Sequence, residues 1–190
     1  ATLSVTNYAF LFSALTYTDL IAPRQLLVID EAHTLEDQII RFVDGAVSLS
    51  QVKKWLGKTE LPVLKTLADY KSWLQAEYIP QLDAALQEML DLELLASSAP
   101  GVVGKDVAEL DRYVCKLRRV LAQLEQDQTN WVFWRDEDTA KSEVQYVARP
   151  VYAAPFVQEL IQKVAPVRLY MSAFPGVPSV FCRSLGLDAK

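Results

Sequence analysis

Two short, strongly apolar runs near opposite ends of the sequence constrain the fold more than any other feature. The first is Leu26-Leu27-Val28-Ile29, and the second covers residues 167–173. The first run, four consecutive apolar residues that include two β-branched ones, is typical of a parallel strand covered on both faces, and the second, which also contains Arg168, is another apolar strand candidate. We therefore expect both runs to be strands of one α/β sheet.

The sequence between these runs follows a helical period. Residues 105–126 carry apolar side chains at alternating steps of three and four, a seam typical of an antiparallel helical hairpin. The members of this predicted seam are Val107, Leu110, Val114, Leu117, Leu121 and Leu124. A second helical tract runs from Pro62, and Pro80 should break or kink it. Residues 131–134 and 144–147 are separated by a polar stretch and indicate a small β-hairpin.

An α/β sequence that is interrupted by a mainly helical tract and then resumed predicts an insertion into a parallel sheet. We expect residues 1–44 and 145–190 to belong to one α/β domain. Residues 45–144 should form the mainly α-helical insertion, which contains the long helical hairpin and the small β-hairpin.

Composition excludes several classes of protein. The chain has 190 residues and two cysteines, Cys115 and Cys182, whose separation fits neither a disulfide scaffold nor a metal site and favours a cytoplasmic location. Its apolar runs are shorter than the roughly 20 residues that span a bilayer, and its first residues lack a basic signal-peptide region, so we expect no membrane partner. The formal charge of -5 disfavours a wholly basic nucleic-acid-binding domain but allows a local basic groove.

The motif Asp30-Glu31-Ala32-His33 directly follows the first apolar run. Nucleotide-binding α/β sheets place their ligands at the carboxyl ends of strands. A first carboxylate there holds Mg²⁺ on the phosphates, usually through water, and the next orients or deprotonates the attacking water. We predict these roles for Asp30 and Glu31, with His33 placed to sense the γ-phosphate. The alternative is that the two acids only cap the following helix, residues 34–42.

Two further segments flank this motif in a characteristic order. Val5-Thr6-Asn7-Tyr8-Ala9 precedes it, and Met171-Ser172-Ala173 follows it near the end of the sequence. Together with residues 28–36 they resemble the XPD/DinG branch of superfamily 2 DNA helicases. The helical insertion after the acidic motif resembles that family's Arch domain.

The resemblance implies an ATP-dependent DNA helicase that couples ATP hydrolysis to 5′ to 3′ translocation on single-stranded DNA and to duplex unwinding, in DNA repair or replication. It implies part of a RecA-like P-loop NTPase motor domain, ATP and Mg²⁺ as cofactors, and single-stranded or forked DNA as the partner of the Arch and motor domains. A bacterial cytosol or nucleoid is the expected location. Ser172 and Ala173 would belong to the motif that couples hydrolysis to strand separation, in which Phe174 replaces the family's threonine.

The resemblance also implies that the sequence is a fragment. The family's phosphate-binding loop lies upstream of these segments and its second motor domain lies downstream, so we expect this chain alone to be inactive. Ligands of the iron-sulfur cluster found in some members would lie upstream too, which leaves the cluster undecided. The Gly-Lys-Thr at residues 57–59 does not replace the phosphate loop, because Val52 stands where the loop needs glycine.

Two groups of residues are candidates for DNA contact. Thr6, Asn7 and Tyr8 offer a hydroxyl, an amide and an aromatic ring that suit phosphates and bases, but Thr6 or Asn7 would equally cap a helix over residues 8–15. A second group, which shares one face of the predicted helix over 105–126, consists of Arg112, Lys116 and Arg119.

That basic face either binds the phosphates along a DNA strand or is simply exposed to solvent. Similarly, the aromatic residues at 131–134 either stack on bases or lie in a core. The rival function is a non-catalytic helical protein-interaction module on a degenerate motor domain, with a protein partner on the Arch-like insertion.

Overall fold

The computed structural model describes residues 3–18, 20–96, 104–138, 143–173 and 176–187, and shows a mixed α/β fold that is mainly helical with two small sheets. The chain divides into two compact units, which we call the first unit (Ala1–Val43 with Pro150–Lys190) and the second unit (Asp44–Arg149). The predicted insertion, residues 45–144, falls inside the second unit, whose last strand continues beyond it. Among the described helices, none is both long and apolar enough to cross a bilayer.

The helices are α1 Tyr8–Tyr17, α2 Leu35–Val43, α3 Leu49–Leu56, α4 Leu67–Trp73, α5 Ile79–Ala96, α6 Lys105–Gln126, α7 Ala154–Val157 and α8 Pro178–Ser184. The strands are β1 Leu26–Ile29, β2 Gly45–Ser48, β3 Trp131–Asp138, β4 Glu143–Pro150 and β5 Val167–Tyr170. A 3₁₀ turn covers Ala32–Thr34, and π-helical turns cover Leu74–Tyr78 and Gln158–Gln162.

The sheet of the first unit pairs β1 with β5 in parallel, with Leu26 opposite Val167 and Ile29 opposite Tyr170. This confirms the prediction that the two apolar runs form one sheet. The second run is shorter as a strand than expected, because β5 ends at Tyr170.

The expectation that this sheet is covered on both faces is wrong for the described residues. Ile29 is 3% exposed, whereas Leu26, Val28, Val167 and Leu169 remain about half exposed on the opposite face. Since side chains alternate along a strand, the helices of the first unit cover only the face of Ile29. A run of apolar residues therefore does not by itself show that both faces are buried.

Helix α1 begins where a cap is available. The Asn7 Oδ1 accepts the main-chain N–H of Phe10 at 2.8 Å, which decides between the two predicted caps in favour of Asn7. Helix α1 packs against α2 through Phe12 and Phe42, whose ring centroids lie 5.3 Å apart. These two helices therefore pack against each other within the first unit.

Helix α6 has the predicted bounds, and it packs against α5 as a helical hairpin. Its buried residues are Val107, Leu110, Val114, Leu117, Val120 and Leu124. The predicted seam held Leu121 in place of Val120. Val120 is buried because it lies against Gly45 of β2, where a Cβ would be only 2.7 Å from its Cγ1, so this side of α6 is covered by the strand as well as by α5.

The helical tract before α5 differs from the prediction at its start. It begins at Leu67 rather than Pro62, because Thr66 and Asp69 form a reciprocal capping box. The tract continues through Pro80, which lies in the first turn of α5. Ahead of it, Ile79 N–H bonds to the Leu74 carbonyl in a π-helical turn, so the irregularity is a wide turn rather than a break.

The sheet of the second unit has the order β2-β4-β3, so the predicted β-hairpin gains a third strand. Strand β2 pairs antiparallel with β4, with Gly45 opposite Ala148. A Cβ at Gly45 would lie 2.7 Å from Val120 Cγ1, so glycine permits β2 to approach α6. Strand β2 was not predicted because Gly, Ala and Ser give little strand signal.

Candidate functional site

The acidic motif lies at the carboxyl end of β1, in the first unit, with Asp30 and Glu31 both exposed. Glu31 adopts a left-handed conformation, with φ 50° and ψ 42°, and among the described residues no other non-glycine has positive φ. The 3₁₀ turn begins directly after it, and the Glu31 side chain accepts no capping bond from that turn. Glu31 therefore makes no side-chain cap to this turn, and the alternative that the two acids serve only the N-terminus of the following helix stays untested.

The chain beyond β5 runs alongside this turn. Met171 N–H donates to the Ile29 carbonyl at 2.8 Å, and Ala32 N–H donates to the Met171 carbonyl at 2.9 Å. These bonds extend the β1–β5 pairing by one residue on each strand. They place Ser172 beside His33.

His33 contacts both neighbouring segments through one ring nitrogen. Its Nδ1 lies 2.8 Å from Ser172 Oγ and 3.2 Å from Glu31 Oε2. A protonated Nδ1 donates to the carboxylate or the hydroxyl, whereas an unprotonated Nδ1 accepts the Ser172 O–H. Because the His33 and Glu31 side chains are 44% and 60% exposed, their contact adds little stability and leaves both groups accessible.

Tyr8 contacts the acidic turn from α1. Its hydroxyl donates to the Asp30 carbonyl at 2.7 Å, and its ring lies 5.9 Å from that of Phe12. Burial raises the pKa of the Tyr8 phenol, and a hydrogen bond with the Thr34 side chain opposes part of that rise. The phenol is therefore a neutral donor anchored in the turn.

Thr34 closes the turn from the other side, and sequence reasoning did not assign it a role. Its N–H and its Oγ1 both donate to the Glu31 carbonyl at 2.9 Å. Threonine often makes such a bond to the backbone three residues before it. The Glu-Ala-His-Thr spacing could therefore have predicted the bond from Thr34 to the Glu31 carbonyl.

The donor chemistry at Asp30 fits a magnesium ion that keeps most of its water. The Asp30 carboxylate is exposed, and its Oδ1 accepts the Glu31 N–H at 2.9 Å. Mg²⁺ commonly takes one or two carboxylates and completes its octahedron with water and phosphate. Within the described parts of the chain, no three His, Cys, Asp or Glu side chains come together as a metal site, so such an ion would depend on those outside ligands.

The three N-terminal DNA candidates lie next to this turn but differ in their surroundings. Thr6 and Asn7 are exposed, and Asn7 uses its oxygen as the cap of α1. Tyr8 is half-buried, with its hydroxyl committed to Asp30. The DNA contact itself stays a prediction for all three.

The basic residues of α6 lie in the second unit. Lys116 Nζ bonds to Asp44 Oδ1 at 3.0 Å, so its charge is neutralised locally. Arg112 is exposed and bonds through Nε to the Ala108 carbonyl of its own helix, and Arg119 is half-buried. These residues do not form a uniform cationic stripe, and their contact with DNA stays a prediction.

The aromatic residues of β3 also differ from one another in their burial and in their contacts. Trp131 is buried, and the ring of Phe133 stacks on Tyr146 at 5.6 Å. The Arg149 guanidinium lies 5.4 Å from the Trp134 ring. Trp131 and Phe133 therefore make core contacts, whereas Trp134 is half-buried, and its stacking on a base stays a prediction.

An open cavity of about 830 Å³ adjoins the site within the first unit. Its lining includes His33, Ser172, Arg168 and Phe181. Arg168 donates to two main-chain carbonyls and is thereby fixed to the wall. The His33 imidazole is therefore reachable from this cavity. Ala173 is exposed, and Phe174 lies outside the described residues.

Comparison with known proteins adds no assignment to this geometry. No model of a known protein family matches the chain, and a search of curated protein sequences finds no significant match.

Proposed function

We propose that this chain supplies the metal-binding and water-positioning motif of an ATP-dependent DNA helicase of the XPD/DinG type. In this proposal the first unit belongs to a RecA-like motor domain and the second unit is an Arch-like insertion. The observation that carries the proposal is the 2.8 Å contact between His33 Nδ1 and Ser172 Oγ. These two residues are 139 positions apart, and each belongs to a segment that resembles the family.

The residues of the turn suit the chemistry of phosphate hydrolysis. Bound Mg²⁺ and ATP would supply a phosphoryl group with part of its charge neutralised. Asp30 would contribute a carboxylate to the metal's ligands, and the exposed Glu31 would orient the attacking water and accept its proton. His33 Nδ1 would hold Glu31 and Ser172 together, with its donor or acceptor role set by the tautomer of the ring.

The proposal requires further parts of a longer parent protein. A phosphate cradle and an arginine finger each stabilise charge at the transferred phosphoryl group. Gly57 does not belong to such a cradle, since it ends α3 with φ 66°. We therefore place both parts in the parent, outside this chain.

Glu31→Gln in the full-length parent tests the proposal. We expect DNA-stimulated phosphate release to fall by at least about 100-fold, because the water loses its base, while binding of a fluorescent ATP analogue changes by less than about threefold. Asp37→Asn is the matched control, because it removes one exposed carboxylate that pairs with Arg41 on α2. Its turnover should stay near that of the unmodified parent.

Two outcomes would contradict this assignment. Turnover that survives Glu31→Gln would mean that another group positions the water. Loss of nucleotide binding in parallel with turnover would place Glu31 among the binding groups instead. The coding sequence on either side gives an independent check, since an upstream phosphate loop and a downstream motor domain are required.

One observation favours the rival proposal of a protein-interaction module. Two cations of α6 are paired within the second unit, Lys116 with Asp44 and Arg118 with Asp83. Such pairing reduces the attraction for phosphates and suits a surface that meets a protein. In this alternative the parent lacks the two flanking motor parts, and Glu31→Gln leaves partner binding unchanged.

A further inference from the structure

We propose that Tyr8 is a positioning residue for Glu31, which links the start of α1 to the acidic turn. This inference rests on the proposed function, because it concerns the carboxylate that would position water. The sequence alone indicates only a DNA contact for Tyr8. The contacts of its hydroxyl point to a different role.

The conformation of Glu31 needs support from its surroundings. A left-handed backbone is strained for a non-glycine residue, and it persists only where neighbouring groups determine it. Glu31 holds this conformation at an exposed turn, where burial of its own side chain cannot stabilise it. The support must therefore come from hydrogen bonds to the backbone on either side.

Those hydrogen bonds account for every main-chain polar group of the two peptide groups that flank Glu31. In the peptide before it, Asp30 C=O accepts from Tyr8, and Glu31 N–H donates to the Asp30 carboxylate. In the peptide after it, Glu31 C=O accepts from Thr34, and Ala32 N–H donates to the carbonyl after β5. Rotation of the first peptide group would break two bonds together, and rotation of the second would break three.

Tyr8 is the member of this set that belongs to α1. Asp30 and Thr34 hold the turn from within the same segment, whereas the Tyr8 hydroxyl reaches across 22 residues of sequence. It directly follows Asn7, the exposed cap of α1. A phosphate that displaced the Asn7 cap would act on the first turn of α1 and hence on the phenol that holds Asp30.

Tyr8→Phe removes this hydroxyl and keeps the ring that packs near Phe12. In the 190-residue chain we expect the amide N–H groups of Glu31 and Ala32 to exchange about fivefold faster, as for the loss of one hydrogen bond. The three-bond coupling between the amide and α protons of Glu31 should change as well, since it reports φ. Amides of α6 should keep their exchange rates.

Tyr78→Phe is the matched control, because it removes the hydroxyl of another hydrogen-bonded phenol, in the second unit. It should leave the Glu31 coupling and exchange unchanged. In the full-length parent, Tyr8→Phe should lower kcat for ATP at saturating single-stranded DNA by about fivefold, with KM within about twofold. We expect kcat to fall while KM stays nearly constant, because Glu31 would position the attacking water and would not bind the nucleotide.

The outcomes separate this inference from the function on which it rests. Unchanged three-bond coupling and amide exchange at Glu31 in Tyr8→Phe would overturn the positioning role, whatever the effect on kcat in the full-length parent. A loosened turn with unchanged kcat, or a raised KM with unchanged kcat, would also overturn it. A parent that hydrolyses no ATP overturns the proposed function instead, and with it any catalytic meaning of the link.

Discussion

Asp44 offers the sharpest test of how the second unit is held together. It is the one buried charged side chain among the described residues, and it is also the first residue of that unit. Its Oδ1 accepts from Lys116 at 3.0 Å and its Oδ2 accepts from Arg149 at 3.2 Å. Arg149 is the last residue of the unit, so this carboxylate joins the two places where the chain enters and leaves.

The expected cost of Asp44→Asn follows from the exposure of the three partners. A charge-assisted hydrogen bond contributes about 1.5–3 kcal/mol when it is buried, and an exposed ion pair about 0.2–1 kcal/mol. The Asp44 side chain is 13% exposed, but Lys116 and Arg149 are 30% and 40% exposed. We therefore assign about 1 kcal/mol to each bond; since asparagine keeps one acceptor oxygen but carries no charge, Asp44→Asn should cost about 1–2 kcal/mol.

Tryptophan fluorescence in urea measures this loss in the second unit alone. All four tryptophans of the chain belong to that unit, at positions 55, 73, 131 and 134. Asp83→Asn is the matched control, because its pair with Arg118 has a 2.7 Å bond but is 36% and 56% exposed. The control should lower the free energy of unfolding by less than about 0.5 kcal/mol.

Salt separates the two variants further. Screening at about 1 M salt should abolish the effect of Asp83→Asn and leave most of the effect of Asp44→Asn. Equal losses for the two variants would refute the reasoning from burial. So would a loss for Asp44→Asn that disappears at high salt.

Two further predictions concern the second unit. Burial raises the pKa of Tyr78 to about 12, so the neutral phenol stabilises the fold below its unfolded pKa near 10, and this stability is lost as the pH rises through about 12. Urea unfolding between about pH 9 and 12 should therefore show a weaker pH dependence in Tyr78→Phe, and an unchanged slope would contradict the shift. If the basic residues of α6 bind DNA, neutralising Arg112, Lys116 and Arg119 together should weaken binding of a labelled oligonucleotide to the parent and reduce the salt slope by roughly 0.7 for each phosphate that is no longer neutralised. Unaltered affinity and salt dependence would favour a protein partner.

Sequence patterns predicted the elements whose own residues carry the signal. The bounds of α6 follow from a period of three and four that persists along the whole helix, and β1 follows from four apolar residues beside polar ones. The positions of Asp30 and Glu31 at the end of a strand followed from their place in the sequence. These features depend on local spacing, which a single sequence displays.

The remaining features depend on contacts between distant residues. The hydrogen bond from Tyr8 to Asp30 and the contact of His33 with Ser172 join segments that no periodicity relates. The exposed face of β1 and β5 also could not be read from its residues, since an apolar strand has the same pattern whether one face or both are covered. Strand β2 gains its stability from pairing with β4 rather than from its own small side chains.

The pairing of β2 with β4 also explains how a large insertion can interrupt the first unit without disturbing the acidic turn. Gly45 lies opposite Ala148 in this antiparallel pair, and Cα atoms of opposed residues are about 4.5–5.5 Å apart. The ends of the second unit are therefore held as close together as the ends of a tight loop, and Asp44 bonds to Arg149 beside them. Because the entropic cost of closing a loop is already met inside the insertion, its length matters little to the strands on either side. The hydrogen bonds described above for the two peptide groups that flank Glu31 come from the first unit, through Tyr8, Asp30, Thr34 and the chain after β5. It follows that Asp44→Asn should weaken the second unit and leave amide exchange at the acidic turn unchanged.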